Sequence, residues 1–107
     1  VLCSDEEPLG TCLLEAMAMR LPVVVTDSGG SHELCADGLT GLVTKGGDAE
    51  GLARAITAIL TDGALARDLA AAARRHVEAE LTVGRHAERV SEVYDEVIGG
   101  GARPPAL

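Results

Sequence analysis

The chain opens on an apolar run, Val1-Leu2-Cys3, which reads as the tail of a buried strand with no turn or cap before it. An acidic loop follows, Ser4 to Gly10, and apolar residues then recur at Leu13, Leu14, Met17 and Ala18. That 3–4 spacing marks one buried face and predicts a helix from about Thr11 to Met19. After Pro22, Val23-Val24-Val25-Thr26 is an unbroken β-branched run, the pattern of a strand covered on both faces in a parallel sheet. Asp27 to Gly30 predicts a turn, Ser31 to Cys35 a short helix, Asp37-Gly38 a second turn and Gly41-Leu42-Val43 a short third strand. Gly46-Gly47-Asp48 ends that strand and caps the next element.

From Asp48 onward the period is helical throughout. Leu52, Ala55, Ile56, Ile59 and Leu60 make one amphipathic helix, and Leu65, Leu69, Ala73 and Val77 a second. Thr82 is placed to cap a third, with Ala87, Val90, Tyr94 and Val97 facing inward. The order β-α-β-α-β followed by helices is that of an α/β chain: a partial, doubly wound, Rossmann-like parallel sheet with a helical C-terminal flank. Gly99 to Leu107, with three glycines and a Pro pair, is expected to form a disordered tail after a domain spanning 1–98. Three strands with nothing before the first do not complete a covered parallel sheet, so the chain is expected to be part of a larger α/β protein.

Composition narrows the function. At 107 residues there is room for one domain or part of one. The 47% apolar share excludes a disordered chain, and Tyr94 is the one aromatic residue, which argues against a stacking platform for single-stranded nucleic acid. Nine Lys and Arg against 17 Asp and Glu leave a net charge of −8, a surface that repels phosphate backbones. Nucleic acid is therefore not an expected partner. No apolar run approaches the ~20 residues of a membrane span, and no positive segment precedes an apolar one as in a signal peptide. Cys3, Cys12 and Cys35 form no disulfide framework and are expected as free thiols in a reducing, cytoplasmic compartment, Cys3 and Cys12 packed as small apolar side chains.

The informative chemistry lies in Glu7-Pro8-Leu9-Gly10-Thr11-Cys12-Leu13-Leu14-Glu15. If the helix starts near Gly10, Glu15 stands five residues in, roughly 7 Å along the axis at ~1.5 Å per residue. Glu7 stays outside the N-terminal end. Between the two carboxylates lie the amides of Gly10, Thr11 and Cys12 at the positive end of the helix dipole, an anion site that a glycine lets a phosphate approach closely. Each carboxylate can accept hydrogen bonds from a sugar diol, so a sugar–diphosphate–ribose ligand fits the order. Taken only as two acidic residues flanking a helix start, the pair also suits the dipole without any ligand.

The longer string is sharper. Glu-Pro-Leu-Gly, Leu-Leu-Glu-Ala-Met-Ala, Leu-Pro-Val-Val-Val-Thr-Asp, Gly-Gly-Ser-His-Glu-Leu and Asp-Gly-Leu-Thr-Gly-Leu-Val follow in that order. From about Ser4 to Tyr94 the chain resembles the retaining, nucleotide-sugar-dependent glycosyltransferases of the GT-B type, the group 1 or family-4 class. The resemblance implies the C-terminal half of a donor-binding domain, with Glu7 beside the donor sugar as the catalytic carboxylate. It implies that the amides of Leu9 and Gly10 contact sugar hydroxyls, those of Thr11 and Cys12 reach the diphosphate, and Glu15 binds the ribose. It implies sugar transfer with retention at the anomeric carbon and no metal, charge on the leaving diphosphate being met by helix dipole and positive side chains. The acceptor, whether sugar, lipid or small molecule, is left open, and the N-terminal acceptor domain and phosphate-binding Arg and Lys are expected upstream.

The chain departs from the family pattern at four positions. Pro8 and Leu9 stand where Gly and Phe are common, Arg20 where a helix-ending Gly is common, and Val83 where Trp is common. Arg20 is expected to cost ~1 kcal/mol in a left-handed cap or to force another cap. Other readings stay open beside the enzyme: a non-catalytic remnant or interaction module with the same fold, or a receiver-like domain, which wants more strands. His32 and Cys35 are too few for a zinc site. Gly29-Gly30 is either a tight turn or a part of the donor site, and Glu33 is expected to cap or pair across its loop. His76 and His86 are expected on solvated helix faces, and Arg67 with Arg74-Arg75 is a weak basic patch that an anionic membrane face can contact.

Overall fold

A computed structural model describes residues 1–100. Seven elements run in the order α1 (Thr11–Ala18), β1 (Val24–Asp27), α2 (Ser31–Leu34), β2 (Leu42–Lys45), α3 (Ala49–Thr61), α4 (Gly63–Glu80) and α5 (Val83–Gly100). The strands β1 and β2 pair in parallel, with Val24 opposite Leu42 and Asp27 opposite Lys45. Leu2 pairs in parallel with Val25 on the other side of β1, through Leu2 N–H to the Val24 carbonyl (2.9 Å) and Thr26 N–H to the Leu2 carbonyl (3.0 Å). The expected opening strand is thus a single bridge, and β1 is the central line of a short parallel sheet.

Helices cover both faces of that sheet. Val23 and Val25 point into a core built from Leu13 and Met17 of α1, Leu34 and Cys35 at α2, and Ala73 of α4. Val24, turned to the other face by the period of two, is buried as well, and α3 packs on β1 and β2. With no Phe or Trp to fill space, small side chains let α1 and α4 approach closely. The Arg74 guanidinium reaches across from α4 to the Ala18 carbonyl at the end of α1 and also holds Glu78 at 2.6 Å. That leaves the expected basic patch with Arg67 and Arg75.

Helix ends follow local chemistry. Asp48 caps α3 through Gly51 N–H (2.9 Å), Asp62 caps α4 through Leu65 N–H (3.0 Å), and Thr82 caps α5 through Arg85 N–H (3.2 Å). The end of α1 is a Schellman motif, with Leu21 N–H on the Ala16 carbonyl and Arg20 N–H on that of Met17. Arg20 takes the left-handed position at φ 57.

Three expectations are corrected. The face of α5 carrying Ala87, Val90, Tyr94 and Val97 does not turn inward: Tyr94 is 64% exposed, because no element among the described residues packs extensively on α5. Only its start is tied down, where Arg89 and Arg85 meet Glu80 of α4 at 2.7 and 3.7 Å. Cys3 and Cys12 are exposed rather than packed, Cys3 just after the first bridge and Cys12 in the first turn of α1. Finally, α5 includes Gly99 and Gly100, which the sequence assigned to the tail; the remainder of that tail, 101–107, lies outside the described residues.

Candidate functional site

The loop Ser4 to Gly10 carries the site, and its shape follows from two residues. Gly10 is the N-cap of α1 at φ 77, a left-handed conformation that glycine reaches without a steric penalty. Its lack of a Cβ also keeps Leu2 in place, since that atom would stand 3.0 Å from Leu2 Cδ2. Glu7 turns back on the helix it precedes. Its Oε1 accepts from the Gly10 amide at 2.9 Å and more loosely from the Leu9 amide at 3.4 Å, while Ser4 Oγ donates to Oε2 at 3.2 Å. A carboxylate at this end of a helix is favoured by the dipole, and Glu7 is near enough in sequence to supply it.

This alters one part of the anion site read from the sequence. The Gly10 amide is not open, and neither is that of Leu9; both are taken by Glu7. The amides of Thr11 and Cys12 have no acceptor among the described residues and lie on exposed residues at the start of α1. Glu15 stands one turn further along α1, exposed, with no ion pair or side-chain hydrogen bond among the described residues. Glu7, Leu9, Gly10, Thr11 and Cys12 thus gather at the N-terminal end of α1, with Glu15 one turn along it. The structure leaves two amides free between the two carboxylates.

The site loop is tied to the sheet through residues the sequence left undecided. Gly30 N–H donates to the Glu7 carbonyl at 2.8 Å, and Thr26 Oγ1 donates to the Ser4 carbonyl at 2.7 Å. A hydroxyl ending a buried run of valines, and paired glycines three and four residues after it, are the sequence signals for this tether. Glu33 lies exposed in the first turn of α2, where its carboxylate takes no partner among the described residues. His32 Nδ1 stands 3.3 Å from Asp27 on the exposed surface nearby.

Beside the loop, an apolar cleft of about 290 Å³ runs between Leu9, Leu14 and Leu34 on one side and Leu81, Val83 and His86 on the other. Arg89 and Glu80 also line it, but they pair with each other at 2.7 Å, so the cleft suits a diphosphate less than the free amides of α1 do. No group of three His, Cys, Asp or Glu residues among the described residues is placed to hold a metal ion. No helix among them is long and apolar enough to cross a membrane.

Comparisons with known proteins bear on the family and the fold. A lipopolysaccharide core biosynthesis mannosyltransferase, LpcC, of Rhizobium leguminosarum is 41% identical over 96 residues, covering 90% of this chain and 27% of that protein. A GDP-mannose-dependent monoacylated α-(1-6)-phosphatidylinositol monomannoside mannosyltransferase of Corynebacterium glutamicum is 37% identical over 89 residues, covering 83% of this chain and 23% of that protein. The chain thus spans about a quarter of the length of these relatives. Among solved structures, Anabaena Alr3699/HepE in complex with UDP superposes with a TM-score of 0.80 at 27% identity, covering 88% of this chain and 26% of the other. The C-terminal domain of a group 1 family protein from Francisella tularensis has the same fold, with a TM-score of 0.70 at 23% identity over 76% of this chain and 42% of that one. The family model described as glycosyl transferases group 1 matches residues 1–76, more than half of the sequence, and the chain belongs to that family.

Proposed function

We propose that this chain is the donor-binding part of an enzyme that moves a sugar from a nucleoside-diphosphate sugar to an acceptor with retention of anomeric configuration. The observation that carries the reading is the pair of open amides, Thr11 and Cys12, at the start of α1 between Glu7 and Glu15. The diphosphate sits on those amides, at the positive end of the helix dipole. Glu15 accepts from the ribose hydroxyls. Glu7, anchored by the amides of Leu9 and Gly10, keeps acceptor capacity for the hydroxyls of the donor sugar.

In this reading catalysis is electrostatic. As the bond to the sugar breaks, negative charge grows on the diphosphate, and donors already in place meet it. The amides and cationic side chains elsewhere in the protein take that charge, so the reading calls for no metal ion. Support for the donor class comes from the UDP and UDP-glucose complexes of the Anabaena relative. Free cysteines suit a reducing compartment, so we place the enzyme in the cytoplasm, where a lipid-linked acceptor would bring it to the membrane face.

The test is a pair of substitutions in the naturally encoded protein. Glu15→Ala weakens donor binding by ~1.5–3 kcal/mol, the value of a hydrogen bond to a charged group. Glu7→Ala lowers turnover more than nucleotide affinity. Titration calorimetry and a turnover assay read both, and the anomeric configuration of the product by NMR reads retention. Unchanged affinity and turnover in both variants would remove the site assignment, and an inverted product would remove retention.

A further inference from the structure

Between β1 and α2 the chain passes through Ser28, Gly29 and Gly30, and this turn presses on the back of the site loop. Gly30 donates its amide to the Glu7 carbonyl at 2.8 Å. A Cβ at Gly29 would overlap the Glu7 carbonyl oxygen and stand 3.0 Å from its carbon. A Cβ at Gly30 would overlap the Pro8 carbonyl oxygen and stand 3.1 Å from its carbon. The two glycines differ in why they are needed. Gly29 has φ 57, so a side chain there is strained by its own backbone as well. Gly30 has φ −82 and ψ −2, a conformation open to every non-proline residue. Only the nearness of Pro8 keeps a side chain out of position 30.

The same loop is held at its other end. Thr26 Oγ1 donates to the Ser4 carbonyl at 2.7 Å, and the Thr26 carbonyl lies 2.7 Å from Ser31 Oγ, which also stands 2.9 Å from the Ser28 carbonyl. Thr26, Ser28 and Ser31 are buried, where such bonds are costly to break. The α1 amides and Glu15 do not depend on this tether, because Leu13 and Met17 seat α1 in the core.

We propose that Gly30, Gly29 and Thr26 are positioning residues for Glu7: they set the Ser4–Pro8 backbone against the sheet and so fix where the Glu7 carboxylate stands relative to the diphosphate amides. The proposal rests on the donor-site reading above. Its consequence is a split, in which the sugar-facing carboxylate loses its place while the nucleotide keeps its own.

The experiment uses the naturally encoded protein, with UDP and GDP as binding probes and hydrolysis of UDP-glucose and GDP-mannose as turnover. Gly30→Ala lowers kcat about tenfold or more, since a displacement near 1 Å can cost about 100-fold, and leaves the nucleoside diphosphate Kd within about threefold. Thr26→Val has the same signature, and Thr26→Ser, which keeps the hydroxyl, restores kcat. If Gly30→Ala does not fold, the Thr26 pair decides. A crystal structure of Thr26→Val reads the geometry independently of donor choice: the Glu7 carboxylate leaves the Gly10 amide. Wild-type kcat in Gly30→Ala or Thr26→Val, an equal loss of kcat and diphosphate affinity, or an unmoved Glu7 overturns the proposal. Glu7→Ala and Glu15→Ala run beside these variants. If those two are silent, the donor-site reading has failed; if they act and Gly30→Ala and Thr26→Val do not, the positioning role alone has failed.

Discussion

Arg20 shows how a single residue can carry a backbone penalty that the rest of a motif absorbs. The Schellman bonds of Leu21 and Arg20 close the end of α1, but they require a left-handed residue, and Arg20 adopts φ 57 with a Cβ in the way. Arg20→Gly removes that clash while adding some freedom to the unfolded chain, and the net is a gain of about 0.5–1 kcal/mol. A thermal melt reads this as a Tm raised by a few degrees; a lowered Tm would mean that the arginine side chain contributes more than its backbone loses. Cys35 is a second case. Burial pushes its thiol above the ordinary value, the nearby Asp37 charge adds to this, and a hydrogen bond with Thr40 opposes it. The folded state therefore prefers the neutral thiol. The stability this supplies is whole below the thiol's ordinary value and is lost as pH climbs through the raised one. Denaturant melts on the alkaline side should show wild type losing stability more steeply than Cys35→Ala. In the folded chain, a thiol reagent should label Cys3 and Cys12 quickly and Cys35 only on unfolding.

The three long helices, α3, α4 and α5, are started by acidic and hydroxyl side chains. Asp62 ends α3 and caps α4, and Asp48 caps α3. Each of Asp48→Ala and Asp62→Ala should lower stability by ~1 kcal/mol, measured by urea denaturation, and a change well below half of that would show the caps to be replaceable by water. Most of this was legible beforehand. Val23 to Thr26 reads as a covered strand because β-branched residues favour strands and no polar alternation interrupts them. Gly46 to Asp48 and Thr82 announce caps through residue chemistry alone. What could not be read is long-range. The fold of Glu7 onto the amides of Leu9 and Gly10 depends on the loop's route, and the loop's route depends on Gly29 and Gly30 some twenty residues later. The outward face of α5 was misread for the same reason: Val90, Tyr94 and Val97 repeat at the spacing of a buried stripe, and a stripe does not say whether its cover lies within the same hundred residues.

As a whole the described chain is longer than it is compact. Its extents are 53 × 27 × 18 Å and its radius of gyration is 16.3 Å, against about 13 Å for a globular chain near this length. The excess comes from α5, which projects from the body beyond Arg89. The candidate site sits on the compact part, but it is open, and its affinity can be bounded. An exposed helix N-terminus contributes ~0.3–1 kcal/mol toward an anion. A charge-assisted bond from Glu15 to a ribose adds ~1.5–3 kcal/mol. Micromolar binding needs about 8 kcal/mol, and a net charge of −8 works against a diphosphate. These 107 residues alone should therefore bind UDP-glucose or GDP-mannose no better than in the millimolar range and turn neither over. Calorimetry on the isolated chain, with a hydrolysis assay beside it, checks both; tight binding, or hydrolysis that Glu7→Ala abolishes, would show it to be self-sufficient.

The projecting helix has one more consequence, for how the chain exchanges its amide protons with solvent. β1 and α1 share a core, so their amides open to water chiefly when the whole body unfolds. Beyond Arg89, α5 has little body to unfold with among the described residues. An isolated helix of its length is marginal in water, and it opens first in the part that lies away from the body. Deuterium therefore enters from Gly100 backward toward Thr82 long before it reaches Val25, and one continuous chain keeps two clocks.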